Sequence, residues 1–179
     1  MTIYIGADHR GFELKNKLIE WLKDQGHEVE DCGNSIYDPQ DDYPDFAHKV
    51  AKNIVKDNSI MKSENARFNA TWEVRTPPQA GEHAHGAGKR GIELSLGIVI
   101  CGSGVGVSVA ANRHRGIICA LGFDVDQISH ARENDHINML SIPSDYVTQE
   151  KTKEMINAFL AAIPKTGDKY VRRLKKLDI

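Results

Sequence analysis

The run Cys101-Gly102-Ser103-Gly104-Val105-Gly106 follows the most apolar stretch of the sequence, 96–101. A glycine turn leading into a helix exposes backbone N–H groups, and those groups favour anions. A thiol at such a helix mouth leans towards the thiolate, so Cys101 is a candidate nucleophile or general base. The spacing is not GxGxxG, because the third glycine comes one residue early. It is not a P-loop either, since no Lys-Ser/Thr follows, so a nucleotide site is poorly supported. The plainer alternative is a tight turn with a buried cysteine, since free Cys often packs as a small apolar residue.

Asp8-His9 follows the first apolar run and forms a second candidate. Its alternative reading is Asp8 as a helix cap with a solvated His9. A third candidate is the segment 132–138, with Arg132, Asn134 and His136, where a lone His is more often surface than catalytic. In the tail, Lys165, Lys169, Arg172, Arg173, Lys175 and Lys176 face one acid, Asp168. Such a run is usually a solvated helix face. Lys169 and Arg173 are four apart, however, and can grip a phosphate together. His83-Ala84-His85 lacks a convincing third ligand, so no metal is assigned.

These candidates need elements to hold them. Strands are expected over 2–7, 27–32, 96–101, 116–122 and 137–142, alternating with helices over about 12–23, 45–55, 126–133, 148–163 and 168–177, with a further helix after the glycine turn. That order implies an α/β domain with a mostly parallel sheet. Ligands in such sheets sit outside the carboxyl ends of the strands, where Asp8 and Cys101 both emerge. The segment 59–89 has no sustained period and reads as an insertion; a lid, a dimer arm and a disordered loop all fit its composition, and Phe68, Trp72 and Pro77-Pro78 suggest that it packs on something.

The chain has 179 residues, 27% of them charged, with a net charge of −2. That size suits one domain, and the charge argues against a general nucleic-acid binder. No apolar run is long enough to span a bilayer. Three cysteines without a CxxC spacing, and no signal-peptide pattern at the start, lead to an expected cytoplasmic location with reduced thiols.

Taken together, the segments resemble the ribose-5-phosphate isomerase B family, which includes the galactose-6-phosphate isomerase subunits. The resemblance rests on Gly6-Ala7-Asp8-His9-Arg10-Gly11, Asp42-Tyr43-Pro44, Ile100 through Gly106, Ala110-Ala111-Asn112, the segment 132–140 and the basic tail. It covers nearly all the chain outside 59–89. The resemblance implies a Rossmann-like three-layer sandwich and a homodimer with shared active sites. It also implies aldose–ketose isomerisation of a sugar phosphate, ribose 5-phosphate to ribulose 5-phosphate in the first instance, with no metal or cofactor. Cys101 matches the base that moves a proton between C2 and C1. The amides around Gly102, Gly104, Val105 and Gly106 would hold the enediolate, with Ser103 near the sugar oxygens. Asp8 matches a residue of hydroxyl binding and ring opening, His9 a phosphate-side residue and Tyr43 a tyrosine beside the substrate. Asn112 matches an asparagine near the glycine loop, and Arg173 a phosphate-binding arginine.

Some positions depart from the pattern. Asn134 stands where the family usually has a ring-opening His, with His136 two residues on as the candidate replacement. Ile118 stands where many members have Arg, and Lys169 replaces another Arg, losing the planar fork. Arg113, Arg115, Lys169 and Arg173 are then the cations left for a phosphate, with Arg67, Arg75, His83 and His85 in the insertion. Two other readings follow from the departures: a hexose-phosphate isomerase, or a sugar-phosphate-binding regulator that has lost turnover. A cysteine hydrolase would need a His base and an orienting acid that the sequence does not place.

Overall fold

The chain runs β1 (Thr2–Ala7), α1 (Phe12–Asp24), β2 (Glu28–Asp31), α2 (Tyr43–Ala66), β3 (Leu96–Cys101), α3 (Val105–Ala111), β4 (Cys119–Leu121), α4 (Val125–Asp135), β5 (Met139–Pro143), α5 (Gln149–Ala161) and α6 (Asp168–Leu174). This computed structural model describes residues 1–66 and 94–177, apart from the side chains of 60–66. The five strands form one parallel sheet in the order β2-β1-β3-β5-β4.

Strand alternation decides which helices cover which face. Ile3, Ile5, Ile98, Ile100, Leu140 and Ile142 point one way and pack with Leu18, Leu22, Ile128, Met155, Ile156 and Phe159 of α1, α4 and α5. Tyr4, Val99, Cys101 and Met139 point the other way and pack with Ala47, Val50, Ala51, Ile54, Val107 and Ala110 of α2 and α3. The result is the three-layer, Rossmann-like α/β sandwich that the resemblance implies. All six residues of β3 are buried, which accounts for its unbroken apolar sequence.

Element boundaries differ most from expectation in α2 and β4. Helix α2 begins earlier, at Tyr43 with Pro44 in its first turn, where a missing N–H costs nothing. It also runs on to Ala66, through the start of the segment read as an insertion. The rest of that insertion, with Arg67, Phe68, Trp72, Arg75, Pro77-Pro78, His83 and His85, lies outside the described residues. Strand β4 is shorter than 116–122. The Asn138 side chain accepts from Ile118 N–H at 2.9 Å and donates to the Gly116 carbonyl at 2.7 Å, so a side chain takes part of the ladder's place here, while the Ile118 carbonyl accepts from the N–H groups of Asn138 and Met139.

Two polar ties fix α2 to the sheet. Asn58 Oδ1 accepts from Ser95 N–H at 2.9 Å, and Asn58 Nδ2 donates back to the Ser95 carbonyl at 3.3 Å. Asp57 Oδ2 accepts from the Ser95 hydroxyl at 2.9 Å and from the Tyr4 hydroxyl at 2.8 Å. Burial and this bond to Asp57 raise the Tyr4 phenol above its ordinary value.

Candidate active site

In the strand order, β1 is followed by β2 on one side while β3 lies on the other, so the crevice between β1 and β3 is a switch point of the sheet. Ala7 pairs with Ile100 there, and Asp8 N–H donates to the Ile100 carbonyl at 3.3 Å. Asp8 thus comes level with Cys101 on the neighbouring strand. By alternation both side chains belong to the face covered by α2 and α3.

The Asp8 side chain is almost fully buried and organises its own turn. Its Oδ1 accepts from the N–H groups of Arg10 at 3.0 Å and Gly11 at 3.2 Å. Burial raises the Asp8 carboxyl above the ordinary value of 3.8, and the two N–H bonds only partly oppose it. Asp8 therefore acts in the loop as the cap-like acceptor of its plain reading, while also lying beside Cys101.

Beyond Cys101 the chain is held from the β5 side. Ser144 N–H donates to the Cys101 carbonyl and Asp145 N–H to the Gly102 carbonyl, both at 3.0 Å. Gly104 adopts φ +72, a left-handed conformation that glycine takes without strain, and its carbonyl accepts from the Ser141 hydroxyl. The turn delivers the chain into α3, whose first N–H groups have no acceptor one turn back. Val105 N–H instead reaches the Ser103 hydroxyl at 3.3 Å. A Cβ on Gly106 would lie 2.7 Å from the Tyr43 ring, so the absent side chain is what lets Tyr43 lie over the start of α3.

His9 is fixed from outside the turn. Its N–H and its Nδ1 both meet Asp41 Oδ1, at 2.9 and 2.8 Å. Asp41 Oδ2 accepts from Asn34 Nδ2 at 3.1 Å. The Asn34 carbonyl accepts from Lys15 Nζ at 3.0 Å, and that fully buried ammonium pairs with Asp31 Oδ2 at 2.5 Å. Arg10 forms an ion pair with Asp145 beside Gly102. Asp41, Lys15, Arg10 and Asp145 were not singled out from sequence.

The remaining candidates do not meet this group within one chain. Asn134 in the last turn of α4 and His136 at its C-terminal cap precede β5, at the amino edge of the sheet. Six residues of β3 separate that edge from Cys101, about 16 Å at the strand rise. His136 ends α4 with φ 55 and Nε2 2.8 Å from the Lys165 carbonyl. Asn134 Oδ1 accepts from Lys165 Nζ at 3.2 Å. Helix α6, with Lys169 and Arg173, packs on α4 on the same side. Asn112 bridges α3 to β4: its amide donates to the Cys119 carbonyl at 2.8 Å and accepts from Cys119 N–H at 2.9 Å. Asn112 and Arg113 line a depression of about 460 Å³ with Arg115, Ile118 and Leu177. Arg132 is largely buried, donates to the Ile137 carbonyl at 2.6 Å, and burial lowers it to about 10.

Comparison with known proteins bears on the same residues. Positions 3–62 and 75–177 match the family model described as Ribose/Galactose Isomerase. A probable ribose-5-phosphate isomerase B of Mycoplasma pneumoniae is 34% identical over 175 residues, covering 98% of this chain and 91% of that protein. Ribose-5-phosphate isomerase B of Mycobacterium tuberculosis is 32% identical, covering 97% and 86%. Among solved structures, the Mycoplasma genitalium ribose-5-phosphate isomerase B with bound ribulose-5-phosphate superimposes with a TM-score of 0.73 at 31% identity, covering 98% of this chain and 93% of that one. The Thermotoga maritima enzyme gives 0.73 at 32%, covering 99% and 97%. With the glycine turn, the Asp-His loop and the switch-point crevice assembled on one sheet edge, these matches span the site as well as the scaffold: the chain belongs to the ribose/galactose isomerase family.

Proposed function

We propose that this aldose–ketose isomerase interconverts ribose 5-phosphate and ribulose 5-phosphate through an enediolate, with Cys101 as the base. The observation that carries the reading is Cys101 at the end of β3, level with Asp8 and directly before the Gly102–Gly106 turn. The C2–H of an open-chain aldose is a weak acid. The Cys101 thiolate takes that proton, the electron pair forms C1=C2, and the carbonyl oxygen becomes the enediolate oxygen. The same sulfur returns the proton to C1, while a proton passes from the C2 oxygen to the C1 oxygen by way of the Ser103 hydroxyl. Backbone N–H groups of residues 102–106 hold the oxygen that carries the negative charge. Asp8 accepts sugar hydroxyls, and His9 and Tyr43 contact the substrate.

The rest of the site comes from a second copy of the chain. Arg113, Asn112, Asn134, His136, Lys169 and Arg173 gather at the amino edge, so a homodimer that joins one copy's amino edge to the other's carboxyl edge completes two shared sites. Val105 and Val109, four apart on α3 and half exposed, offer an apolar face beside the crevice for such a contact. The basic α6 then supplies the phosphate grip across the interface.

The experiment is deuterium exchange from heavy water into ribose 5-phosphate with wild type and Cys101→Ala. Exchange by the wild type that vanishes in the variant, with phosphate-ligand binding retained, supports the reading. Exchange at full rate in Cys101→Ala overturns the base assignment. Tight binding without exchange by the wild type would favour the regulator, and exchange only with hexose phosphates would move the substrate. Mixing Cys101→Ala with an Arg173→Ala chain tests the shared site: random dimers restore about a quarter of the sites if each draws on both copies.

A further inference from the structure

We propose that Arg10 binds the substrate's phosphate from the same chain that supplies Cys101, and that Asp145 is the positioning residue that aims its guanidinium. This rests on the isomerase reading above and adds to it a cation outside the basic tail. A phosphate ester in the crevice needs positive charge beside it. Lys169 and Arg173 lie towards the amino edge, the length of β3 away from Cys101. Arg10 brings its charge to the carboxyl edge itself, in the turn that follows β1.

Arg10 is fixed at its backbone and at the end of its side chain. Its N–H donates to Asp8 Oδ1 at 3.0 Å. Its carbonyl lies 3.2 Å from the Ser144 hydroxyl, which is equally close to the Cys101 carbonyl. Its Nη2 donates to Asp145 Oδ2, and Asp145 N–H in turn donates to the Gly102 carbonyl at 3.0 Å. A Cβ on Gly102 would lie 2.7 Å from Asp145 Oδ2 and 3.3 Å from Arg10 Nε. The pair therefore rests against the first glycine of the turn, beside the residue that follows Cys101.

Stability does not account for this pair. The Arg10 and Asp145 side chains are 55% and 35% exposed, and ion pairs that water screens add little to folding. What the pair supplies is orientation. A guanidinium carries five N–H donors in one plane and keeps its charge. Among the described residues Asp145 takes one of these donors, and no other acceptor meets the rest. The remaining donors form a planar fork that matches phosphate oxygens. Because the side chain is already held, less rotamer freedom is lost when phosphate arrives. Asp145 also carries negative charge, so it orients the fork while weakening its pull on phosphate.

The test replaces each partner and reads phosphate binding directly. Arg10→Gln is expected to lower kcat/KM for ribose 5-phosphate on the order of 10-fold, the loss of a hydrogen bond to a charged group. The Kd of inorganic phosphate, measured by calorimetry, should rise by the same factor. Arg10→Lys keeps the charge without the fork and should recover part of both losses. Asp145→Asn keeps an acceptor for Nη2 and gives up the charge that opposes phosphate, so it should bind phosphate at least as tightly as the wild type. Unchanged phosphate affinity in Arg10→Gln, or matching losses in Arg10→Gln and Asp145→Asn, would overturn the proposal and leave the pair as a tie between loops. If the wild type converts no ribose 5-phosphate, the isomerase reading fails instead, and the calorimetric series still decides whether Arg10 holds phosphate.

Discussion

Replacing Gly106 with Ala should separate activity from stability in this chain. The new methyl carbon would lie 2.7 and 2.8 Å from two atoms of the Tyr43 ring. Carbon atoms rest at about 3.5–4.0 Å, so the ring must retreat by about 1 Å. Tyr43 is 41% exposed, which gives it somewhere to go. The stability terms are small and opposed. Alanine gains up to about 1 kcal/mol over glycine inside a helix, less in the first turn. The displaced ring gives up a few tens of Å² of contact, about 1 kcal/mol at 25 cal/mol per Å². The melting temperature should therefore move by no more than about 4 °C. Activity should not be spared, because a shift of about 1 Å in a group that positions substrate costs on the order of 10²-fold. The assay is ribose 5-phosphate conversion beside a thermal melt. Full kcat/KM at an unchanged melting temperature would show that Tyr43 is not a wall of the site. A melting temperature lower by more than about 10 °C would show that the ring cannot yield, and the argument from exposure would be wrong.

Two other outcomes follow from titratable groups. Burial pushes the Cys32 thiol up to about 11 and the Cys119 thiol up to about 12. Iodoacetamide at about pH 8 should therefore leave Cys32 and Cys119 unmodified in the folded protein, as peptide mass mapping reads directly. Labelled Cys32 or Cys119 in a fully active sample contradicts this. Burial also raises the Asp8 carboxyl above 3.8, so its neutral form suits the fold better than its charged form. Its contribution to stability is whole below the unfolded value and fades as pH rises through the raised folded one. Asp8→Asn cannot ionise, so the melting temperature of the wild type should fall relative to this variant as pH rises through the acid range above about 4. A difference that stays constant over that range would refute the sign.

Local patterns carried the glycine turn, the Asp-His loop and the strands that hold them, because each depends on neighbours in sequence. Contacts made at long range were not legible. His9 meets Asp41 32 positions away and Arg10 meets Asp145 135 positions away, and no local period announces either pair. Lys15 did leave a trace. It lies three and seven positions before Leu18 and Leu22, on the buried stripe of α1, although its charge reads as a solvated residue. His136 left a trace of another kind. A residue between a helix and the strand that follows it must lie at the amino edge of a parallel sheet, so alternation alone separates it from Cys101. Strand order is different: which strands neighbour β1 depends on packing of whole elements, and no short segment encodes it.

The reciprocal amide clasp between Asn58 and Ser95 has a practical consequence. It joins the chain on either side of positions 59–94 and, with Asp57 and Tyr4, anchors that junction to the first strand. A pull on the chain between Asn58 and Ser95 would thus meet this fastening first, and the sulfur at the far end of β3 would be sheltered from it.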